Sequence, residues 1–363
     1  MTPRKAAPDY GDVESQLRSI ERKDDEGELD LGRGARLHVS SLSKPYFPDA
    51  GITKGALMRY YTRVAPWLLP EIDGRALVLK RYPDGVAGPM FFQQNAGDHV
   101  PDGVRTATLE TLEQGAKPRI IGGDLLTLLY TVQLGAIEVH PWLSRVSDID
   151  ATDRCLIDLD PGDDVPFSSV AALAREVARI AEVCGLSVAL KTSGASGIHI
   201  VLPLPPRTSY DTSAALALQL AEAVVAANPE VATVERGVKA RPKRSIYVDA
   251  LQNARGKSMA APYSVRAKPT ASVSAPLQAR ELTSRLRIES FTVRSMPARM
   301  TRTGDIWGDA IATRPTARTI ARAMMALQDA TSTPVSKRAS KAARTRAGES
   351  HAGSTAGHRT RTR

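Results

Sequence analysis

The segment Leu156–Pro161 (LIDLDP) constrains the fold more than any other part of this sequence. Its alternation of apolar and acidic residues is typical of a β-strand, in which successive side chains point to opposite faces. We therefore expect Asp158 and Asp160 on one face, with Ile157 and Leu159 directed into the core. Two adjacent carboxylates at the end of an apolar strand repel each other and lose solvation, and a divalent cation relieves both costs. A solvent-facing acidic strand end is the alternative for this pair alone.

A second apolar strand, Ser245–Ala250 (SIYVDA), also ends in an acid, Asp249. Three carboxylates on two strand ends can hold two metal ions roughly 3.5–4 Å apart. One ion then activates the attacking oxygen of an in-line phosphoryl transfer, and the other stabilises the leaving group. Nucleases and phosphatases could use the same set of acids. The three residues therefore predict a two-metal site without selecting the reaction.

A loop between two predicted strands contains Gly194 and Gly197. Glycines at these positions allow backbone N–H groups to turn inward and form an anion-binding nest. Ser193 adds a hydroxyl donor, and we expect Lys191 and His199 at the rim of the loop. The alternative is a flexible hairpin loop followed by an ordinary half-buried histidine, so the loop alone is a weak indication of phosphate binding.

Strands and helices alternate along the chain, which predicts an α/β sandwich with a mixed sheet. The strands are expected at residues 76–81, 137–140, 155–160, 188–191, 199–204 and 246–250. Thr53 can cap a first helix that Pro66 and Pro70 are expected to end. Further helices are expected at 124–133, 168–184 and 212–227.

Charge is distributed unevenly along the chain. The net charge is +10, and residues 331–363 supply +7 of it, from eight Lys or Arg against one acid, Glu349. This stretch is rich in Ser, Thr, Ala and Gly and cannot bury enough apolar surface to fold. We expect a disordered basic tail, either a loose phosphate-seeking arm or a solvated terminus. Residues 1–35 are predicted to be a charged extension, 36–310 the catalytic domain and 311–330 a C-terminal helix.

The sequence also restricts where the protein works. It contains no apolar run of about 18 residues, and Met1–Tyr10 lacks the apolar segment of a secretory signal. Its two cysteines, Cys155 and Cys184, each lie among apolar residues, as expected of buried thiols in a reducing compartment. We therefore expect a cytoplasmic protein with no membrane partner.

The order of an Asp-x-Asp strand, the glycine loop ending in His199 and a later Val-Asp strand resembles the archaeo-eukaryotic primase superfamily. Dispersed motifs in residues 40–310 resemble, more narrowly, the polymerase domain of bacterial ATP-dependent DNA ligase D. They are Leu42–Pro48, Gly51–Lys54, Lys80–Gly85, Phe91-Phe92, Ile137–Trp142 and Ala261–Arg266. This resemblance implies a primase-polymerase fold, with mixed β-sheets flanked by helices in a single compact catalytic domain.

The resemblance also implies roles for individual residues. The three acids would ligate two divalent metal ions, Mn²⁺ or Mg²⁺, with manganese often preferred. The incoming NTP or dNTP would be held, mainly by its triphosphate, by Ser193, His199, Gln252 and Arg266, with Lys80, His140 and Lys191 close by. A guanidinium group such as that of Arg266 suits phosphate oxygens on physical grounds.

DNA contacts follow from the same resemblance. Lys44 and Lys54 would bind the 5′-phosphate at a gap or break, although without the family both would be read as solvated lysines. Phe91 and Phe92 would contact the template, with Arg81 beside them, because phenylalanine rings stack on unpaired bases. The alternative places one ring in the core and the other in solvent.

Two positions depart from the family pattern. Ser196 stands where many relatives have a lysine before the second glycine of the loop, so the triphosphate is bound more weakly or with help from Lys191. The residues Gln93–Asn95 stand where many relatives have a lysine after the phenylalanines. One expected phosphate contact is in doubt there.

The implied function is a DNA-dependent nucleotidyltransferase that fills gaps and extends ends in non-homologous end joining, favouring ribonucleotides. No ligase or nuclease domain fits in this chain, so Ku and a separate DNA ligase are the expected partners, and the nucleoid is the expected place of action. The alternatives are a primase that starts chains without a primer and a non-catalytic DNA-end-binding module. A two-metal nuclease is less favoured, because it would not need a triphosphate loop together with Arg266.

Overall fold

The structure is a computed structural model that describes residues 10–111 and 115–332 of the chain. Its helices are α1 (Gly11–Lys23), α2 (Lys54–Ile72), α3 (Leu125–Gln133), α4 (Phe167–Val183), α5 (Tyr210–Ala227), α6 (Met296–Thr303), α7 (Ile306–Ala312) and α8 (Ala317–Ser332). Its strands are β1 (Glu26–Asp30), β2 (Arg36–Ser40), β3 (Pro45–Phe47), β4 (Ile52–Thr53), β5 (Leu77–Arg81), β6 (Phe91–Gln93), β7 (Thr106–Thr111), β8 (Gly115–Ile120), β9 (Ala136–Pro141), β10 (Ala151–Pro161), β11 (Ala189–Thr192), β12 (Ile198–Ser209), β13 (Ala232–Thr233), β14 (Ile246–Asp249) and β15 (Pro276–Leu277). These elements confirm the expected α/β class.

A six-stranded sheet forms the centre of the fold, with the strand order β13-β14-β10-β12-β11-β15. Strands β13 and β14 run parallel and the other pairs antiparallel, so the sheet is mixed, as predicted. On β10, Ile157 and Leu159 are fully buried, Asp158 is half-buried and Asp160 is exposed. The period-two pattern in the sequence therefore predicted correctly which side chains leave the core.

A three-stranded sheet, β6-β5-β9, stands beside the central sheet. The segment after Ala261 joins the two: Ser264 Oγ accepts a hydrogen bond from the backbone N–H of Val139 on β9. The buried hydroxyl of Tyr61 donates to the carbonyl of Ile137 on the same strand. These contacts fix the segment that carries Arg266 between the two sheets.

The expectation that residues 1–35 form an extension outside the compact domain is wrong for the described part. Helix α1 buries Val13 and Leu17, and β1 pairs with β2 and buries Leu29. These buried residues, together with partly buried ones such as Ile20 and Leu31, lie in an otherwise charged stretch. Because Val13 and Leu17 are four residues apart, they meet the core from one face of the helix, and this spacing was the signal that the sequence offered.

Leu17→Ala tests whether α1 is part of the domain. The side chain is fully buried, and truncating a buried leucine costs about 2–5 kcal/mol of unfolding free energy. Chemical denaturation should therefore show a lower midpoint for Leu17→Ala than for the control Arg18→Ala, whose side chain is exposed. Equal midpoints for both variants would mean that α1 adds nothing to the stability of the domain.

Several predicted boundaries change. Thr53 caps α2 as expected, accepting the Ala56 N–H at 3.0 Å, but α2 continues through Pro66 and Pro70 to Ile72. A proline removes one helical hydrogen bond, and the buried side chains on both sides of each proline hold this helix together. The helix expected at 311–330 is interrupted, since α7 ends at Ala312 and α8 begins at Ala317. The predicted basic tail lies, from residue 333 onward, outside the described residues.

Both cysteines are free thiols, Cys155 buried and Cys184 half-buried. Burial raises the pKa of the Cys155 thiol to about 12, so it stays protonated at neutral pH. Among the described helices, none combines the length and the apolar composition required to cross a membrane.

Candidate active site

The strand register places four polar side chains in one row across the central sheet. Asp158 on β10 lies opposite Asp249 on β14 and, on its other side, opposite His199 on β12. His199 in turn lies opposite Lys191 on β11. Residues directly opposite each other in antiparallel strands share a face of the sheet. The three segments that the sequence singled out therefore meet in one place.

Asp158 lies in an environment that disfavours its negative charge. Burial raises the pKa of this carboxyl to about 7, and the charges of Asp160 and Asp249 act in the same direction, while Lys191 acts against them. The Nε2 atom of His199 lies 3.5 Å from Oδ1 of Asp158. A divalent cation would remove the repulsion among the three acids, so the chemistry of the site fits one.

The other two acids are held by protein groups. Asp249 accepts hydrogen bonds from the Leu251 N–H at 2.8 Å and from Gln252 Nε2 at 3.0 Å. Asp160 lies 3.3 Å from the guanidinium group of Arg241. Within residues 10–111 and 115–332, no group of three or more His, Cys, Asp or Glu side chains is gathered as a metal site. The two-metal assignment therefore stays a prediction, and its oxygen-only donor set suits Mg²⁺ or Mn²⁺.

The backbone N–H groups of the glycine loop turn inward as predicted, but they surround a serine hydroxyl rather than leaving an open anion site. Ser193 Oγ accepts hydrogen bonds from the backbone N–H groups of Ala195, Ser196 and Gly197 at 3.0–3.2 Å. A hydroxyl oxygen that accepts from three donors is polarised and becomes a stronger donor of its own proton. The nest N–H groups thus act through Ser193 rather than on a ligand directly.

Glycine is required at both positions of the loop. A Cβ at Gly197 would lie 2.1 Å from the carbonyl oxygen of Leu159. A Cβ at Gly194, where φ is +73°, would lie 2.5 Å from Cγ of Arg266. The loop can therefore approach β10 and Arg266 only because both side chains are absent.

A cleft of about 310 Å³ opens above this row of residues. Seven of the predicted site residues line it: Asp158, Asp160, His140, Ser193, His199, Gln252 and Arg266. Three others, Asp249, Lys80 and Lys191, do not line it. The cleft thus joins acids at one end to donors suited to phosphate at the other.

The expectation that Lys191 lies at the rim of the loop is wrong. Its side chain is fully buried, and its Nζ lies 2.6 Å from Nδ1 of His199 and 2.8 Å from Oγ of Ser274. Burial and the charge of Arg266 hold its pKa well below the ordinary value for lysine. The pairing of β11 with β12 puts the amine beneath the imidazole, where it orients His199 from the core side.

The sequence analysis missed Glu138, a buried carboxylate between the two sheets. Its oxygens accept from His140 Nε2 and Arg266 Nε, each at 2.9 Å, and from the backbone N–H of Ala267 at 3.0 Å. Lys80 Nζ lies 3.3 Å away. Burial acts to raise the pKa of Glu138, but these partners hold it well below its ordinary value. An acid two residues before the predicted His140 on one strand was the available signal.

Asn253 was also missed. Its side chain accepts from the Leu156 N–H and donates to the Leu156 and Ala250 carbonyls, at 2.7–2.8 Å. This buried amide closes the edge of β10 next to Asp158. It therefore fixes the turn that carries Gln252 into the cleft.

Lys44 and Lys54 lie close together, because the Lys54 N–H donates to the Lys44 carbonyl at 2.9 Å. Lys44 is paired with Asp84 at 2.7 Å. Lys54 is buried, donates to the Ser40 carbonyl, and has its pKa lowered to about 8 by burial and by Lys44. The N–H groups at the start of α2 are not free to bind an anion, because those of Lys54, Gly55 and Ala56 are all hydrogen-bonded within the protein. Binding of a phosphate at this position would therefore depend on the side chains of Lys44 and Lys54.

Phe91 and Phe92 are both exposed, by 45% and 58%, so the alternative with one ring in the core does not hold. They stand on the short strand β6 at the edge of its sheet, and the exposure of both rings shows that each face of this strand is open. The Arg81 guanidinium lies 4.9 Å from the centre of the Phe91 ring and donates to Gln93. Two exposed adjacent rings near the cleft suit contact with bases.

A mixed sheet with acids at its strand ends, a serine-centred loop and an arginine facing one cleft is the arrangement expected of nucleotidyltransferases of the primase-polymerase fold. Comparison with known proteins narrows this class. The sequence model of the "LigD, primase-polymerase domain" matches residues 53–307. The chain belongs to this family.

Curated relatives agree with the family. The multifunctional non-homologous end joining protein LigD of Pseudomonas aeruginosa is 30% identical over 282 residues, which is 77% of this chain and 33% of that protein. The bifunctional LigD of Bacillus subtilis is 32% identical over 270 residues, 74% of this chain and 43% of that protein. The chain thus spans well under half the length of these relatives.

A solved structure confirms the fold. The polymerase domain from Mycobacterium tuberculosis ligase D, in complex with DNA, superposes with a TM-score of 0.72 at 30% sequence identity. The match covers 77% of this chain and 99% of that one. The predicted primase-polymerase fold, in a single compact domain, is therefore correct.

Proposed function

We propose that this protein is a DNA-dependent nucleotidyltransferase that adds nucleotides at DNA gaps and ends during non-homologous end joining. The observation that carries the proposal is the single cleft in which Asp158 and Asp160 face Ser193, His199 and Arg266. Acids for metal ions and donors for phosphate oxygens are the two requirements of nucleotidyl transfer.

One end of the cleft is proposed to bind metal ions and the other to bind the triphosphate. Asp158, Asp160 and Asp249 would hold two divalent ions, Mn²⁺ or Mg²⁺, which supply charge neutralisation and activation of the attacking hydroxyl when bound. The polarised hydroxyl of Ser193 donates to a phosphate oxygen. Arg266, whose guanidinium also donates to the Ser193 carbonyl, presents its remaining donors to the triphosphate.

The DNA would approach along the exposed aromatic edge. Phe91 and Phe92 stack on template bases, and Lys44 with Lys54 binds the 5′-phosphate of the downstream strand. We propose Ku and a separate DNA ligase as partners, and ribonucleotides as the preferred substrate. The match with LigD polymerase domains and the named role of the relatives in end joining support this role.

A primase that starts chains without a primer is the second candidate, since it would use the same acids and loop. The buried, charged environment of Lys54 favours end recognition, because a primase has no need for a downstream 5′-phosphate. A non-catalytic end-binding module would have no use for three acids on adjacent strand ends.

Primer extension on gapped DNA tests the proposal. We expect the full chain to extend a primer across a 5′-phosphorylated gap in the presence of Mn²⁺ or Mg²⁺, faster with NTPs than with dNTPs. Parallel reactions should use a template without a primer and a labelled duplex. Products on the unprimed template would establish the primase, degradation of the duplex would establish a nuclease, and no product in any reaction would leave only end binding.

A further inference from the structure

Glu138 touches three side chains assigned to the nucleotide and yet does not line the cleft itself. One carboxylate oxygen accepts hydrogen bonds from His140 and Arg266, and the other accepts from the Ala267 N–H and from Lys80. The carboxylate is 3% exposed. A charged group is buried to this degree only when its partners compensate it fully, and here four donors do so.

The carboxylate also joins parts of the chain that are distant in sequence. Glu138 and Lys80 lie directly opposite each other on β9 and β5. Arg266 belongs to the segment that packs between the sheets, and its guanidinium reaches the Ser193 carbonyl in the glycine loop of the central sheet. Glu138 is thus the fixed point from which the three-stranded sheet holds Arg266 against the loop.

We propose that Glu138 is a positioning residue for the nucleotide: it sets the orientation of Arg266, His140 and Lys80 before the triphosphate binds. The inference rests on the proposed function, because it concerns the same cleft. A long arginine side chain loses conformational freedom when it binds an anion, and an arginine that is already held loses less. The geometry therefore assigns Glu138 to nucleotide affinity, through Arg266, and not to the chemical step.

Glu138→Gln is the sharpest variant, because glutamine keeps the shape but has one acceptor oxygen in place of two. Whichever way the amide turns, two of the four donors lose their acceptor. We expect the KM for the nucleotide to rise roughly tenfold, with kcat changed by less than about threefold. The affinity for gapped DNA should stay at the wild-type value, and Glu138→Asp should recover part of the nucleotide affinity.

A matched control separates positioning from general stability. Glu71 is also buried and pairs with an arginine, Arg154, at 2.5 Å, away from the cleft. Glu71→Gln should lower the thermal midpoint without raising the nucleotide KM. If Glu71→Gln and Glu138→Gln raise KM alike, Glu138 serves only the stability of the fold.

A double-mutant cycle tests the route through Arg266. In the Arg266→Gln background, adding Glu138→Gln should weaken nucleotide binding by no more than about twofold. Nucleotide affinity should be measured by calorimetry as well as by KM, so that the test does not depend on turnover. Wild-type protein that binds nucleotide but adds none would refute the proposed function alone. Unchanged or tighter nucleotide binding by Glu138→Gln would overturn the positioning role, since the carboxylate would then only repel the triphosphate.

Discussion

Asp158→Asn is expected to reduce nucleotide addition at least roughly a thousandfold, because a metal-binding acid stabilises the transition state by several kcal/mol. Asparagine keeps the size of the side chain and the hydrogen-bonding capacity of one oxygen, but it cannot neutralise a dication. Binding to gapped DNA should change little, because the proposed DNA contacts lie elsewhere. Rates of primer extension, measured in Mn²⁺ and in Mg²⁺, test this directly.

The same variant should be more stable than the wild type in metal-free buffer. An acid whose pKa rises on folding, here from 3.8 to about 7, binds protons more tightly in the folded state, so its ionisation lowers the free energy of unfolding as the pH rises across this range. At pH 8, Asp158→Asn should gain about 2 kcal/mol after allowance for the partial exposure of the side chain.

The control for both measurements is Asp163→Asn, an exposed acid just after β10. It should retain the activity and the stability of the wild type. An active Asp158→Asn enzyme would remove Asp158 from the metal site. An inactive variant that is less stable than Asp163→Asn would attribute the loss to damaged folding.

Local patterns predicted the central elements well. The alternation around Asp158 and Asp160 identified β10 and the acids that leave the core, and Thr53 identified the start of α2 through its capping hydroxyl. Both signals involve only residues that are close to one another in sequence, and the pattern of side-chain burial follows from them. The prediction for residues 1–35 was wrong because the few apolar residues of α1, among them Val13 and Leu17, do not stand out in a charged stretch.

Register and side-chain direction were not available from the sequence. The row from Asp249 to Lys191 depends on which residues of separate strands pair, and a shift of one residue would turn each side chain to the other face. Lys191 was therefore predicted at the rim of the glycine loop, whereas its side chain lies beneath His199. Glu138 was overlooked because only one of its four donors, His140, is a near neighbour in sequence, and no local pattern shows the three that come from distant segments.

Lys44→Gln/Lys54→Gln is expected to remove the preference for a phosphorylated over a hydroxylated downstream end, roughly a tenfold loss in the affinity ratio. The Lys54 ammonium is buried beside the positive charge of Lys44, and it donates to the carbonyl of Ser40. Lys44 is paired with Asp84, so a phosphate that reached this position would give Lys54 an anionic partner and would share Lys44 with that carboxylate. Because the N–H groups at the start of α2 are already hydrogen-bonded, no backbone contact can replace the lost side chains.

The pH dependence gives the test a second readout. The pKa of Lys54 is lowered to about 8, so the free protein loses this charge as the pH rises through 8, well before an ordinary lysine would. The phosphorylated-to-hydroxylated affinity ratio of the wild type should therefore fall between pH 7 and pH 9, and that of the double variant should stay flat. The control Lys23→Gln, at an exposed position on α1, should follow the wild type. Titrations with phosphorylated and with hydroxylated gapped DNA at each pH measure this ratio. An equal ratio in wild type and double variant would place the 5′-phosphate elsewhere and remove the main structural support for end recognition.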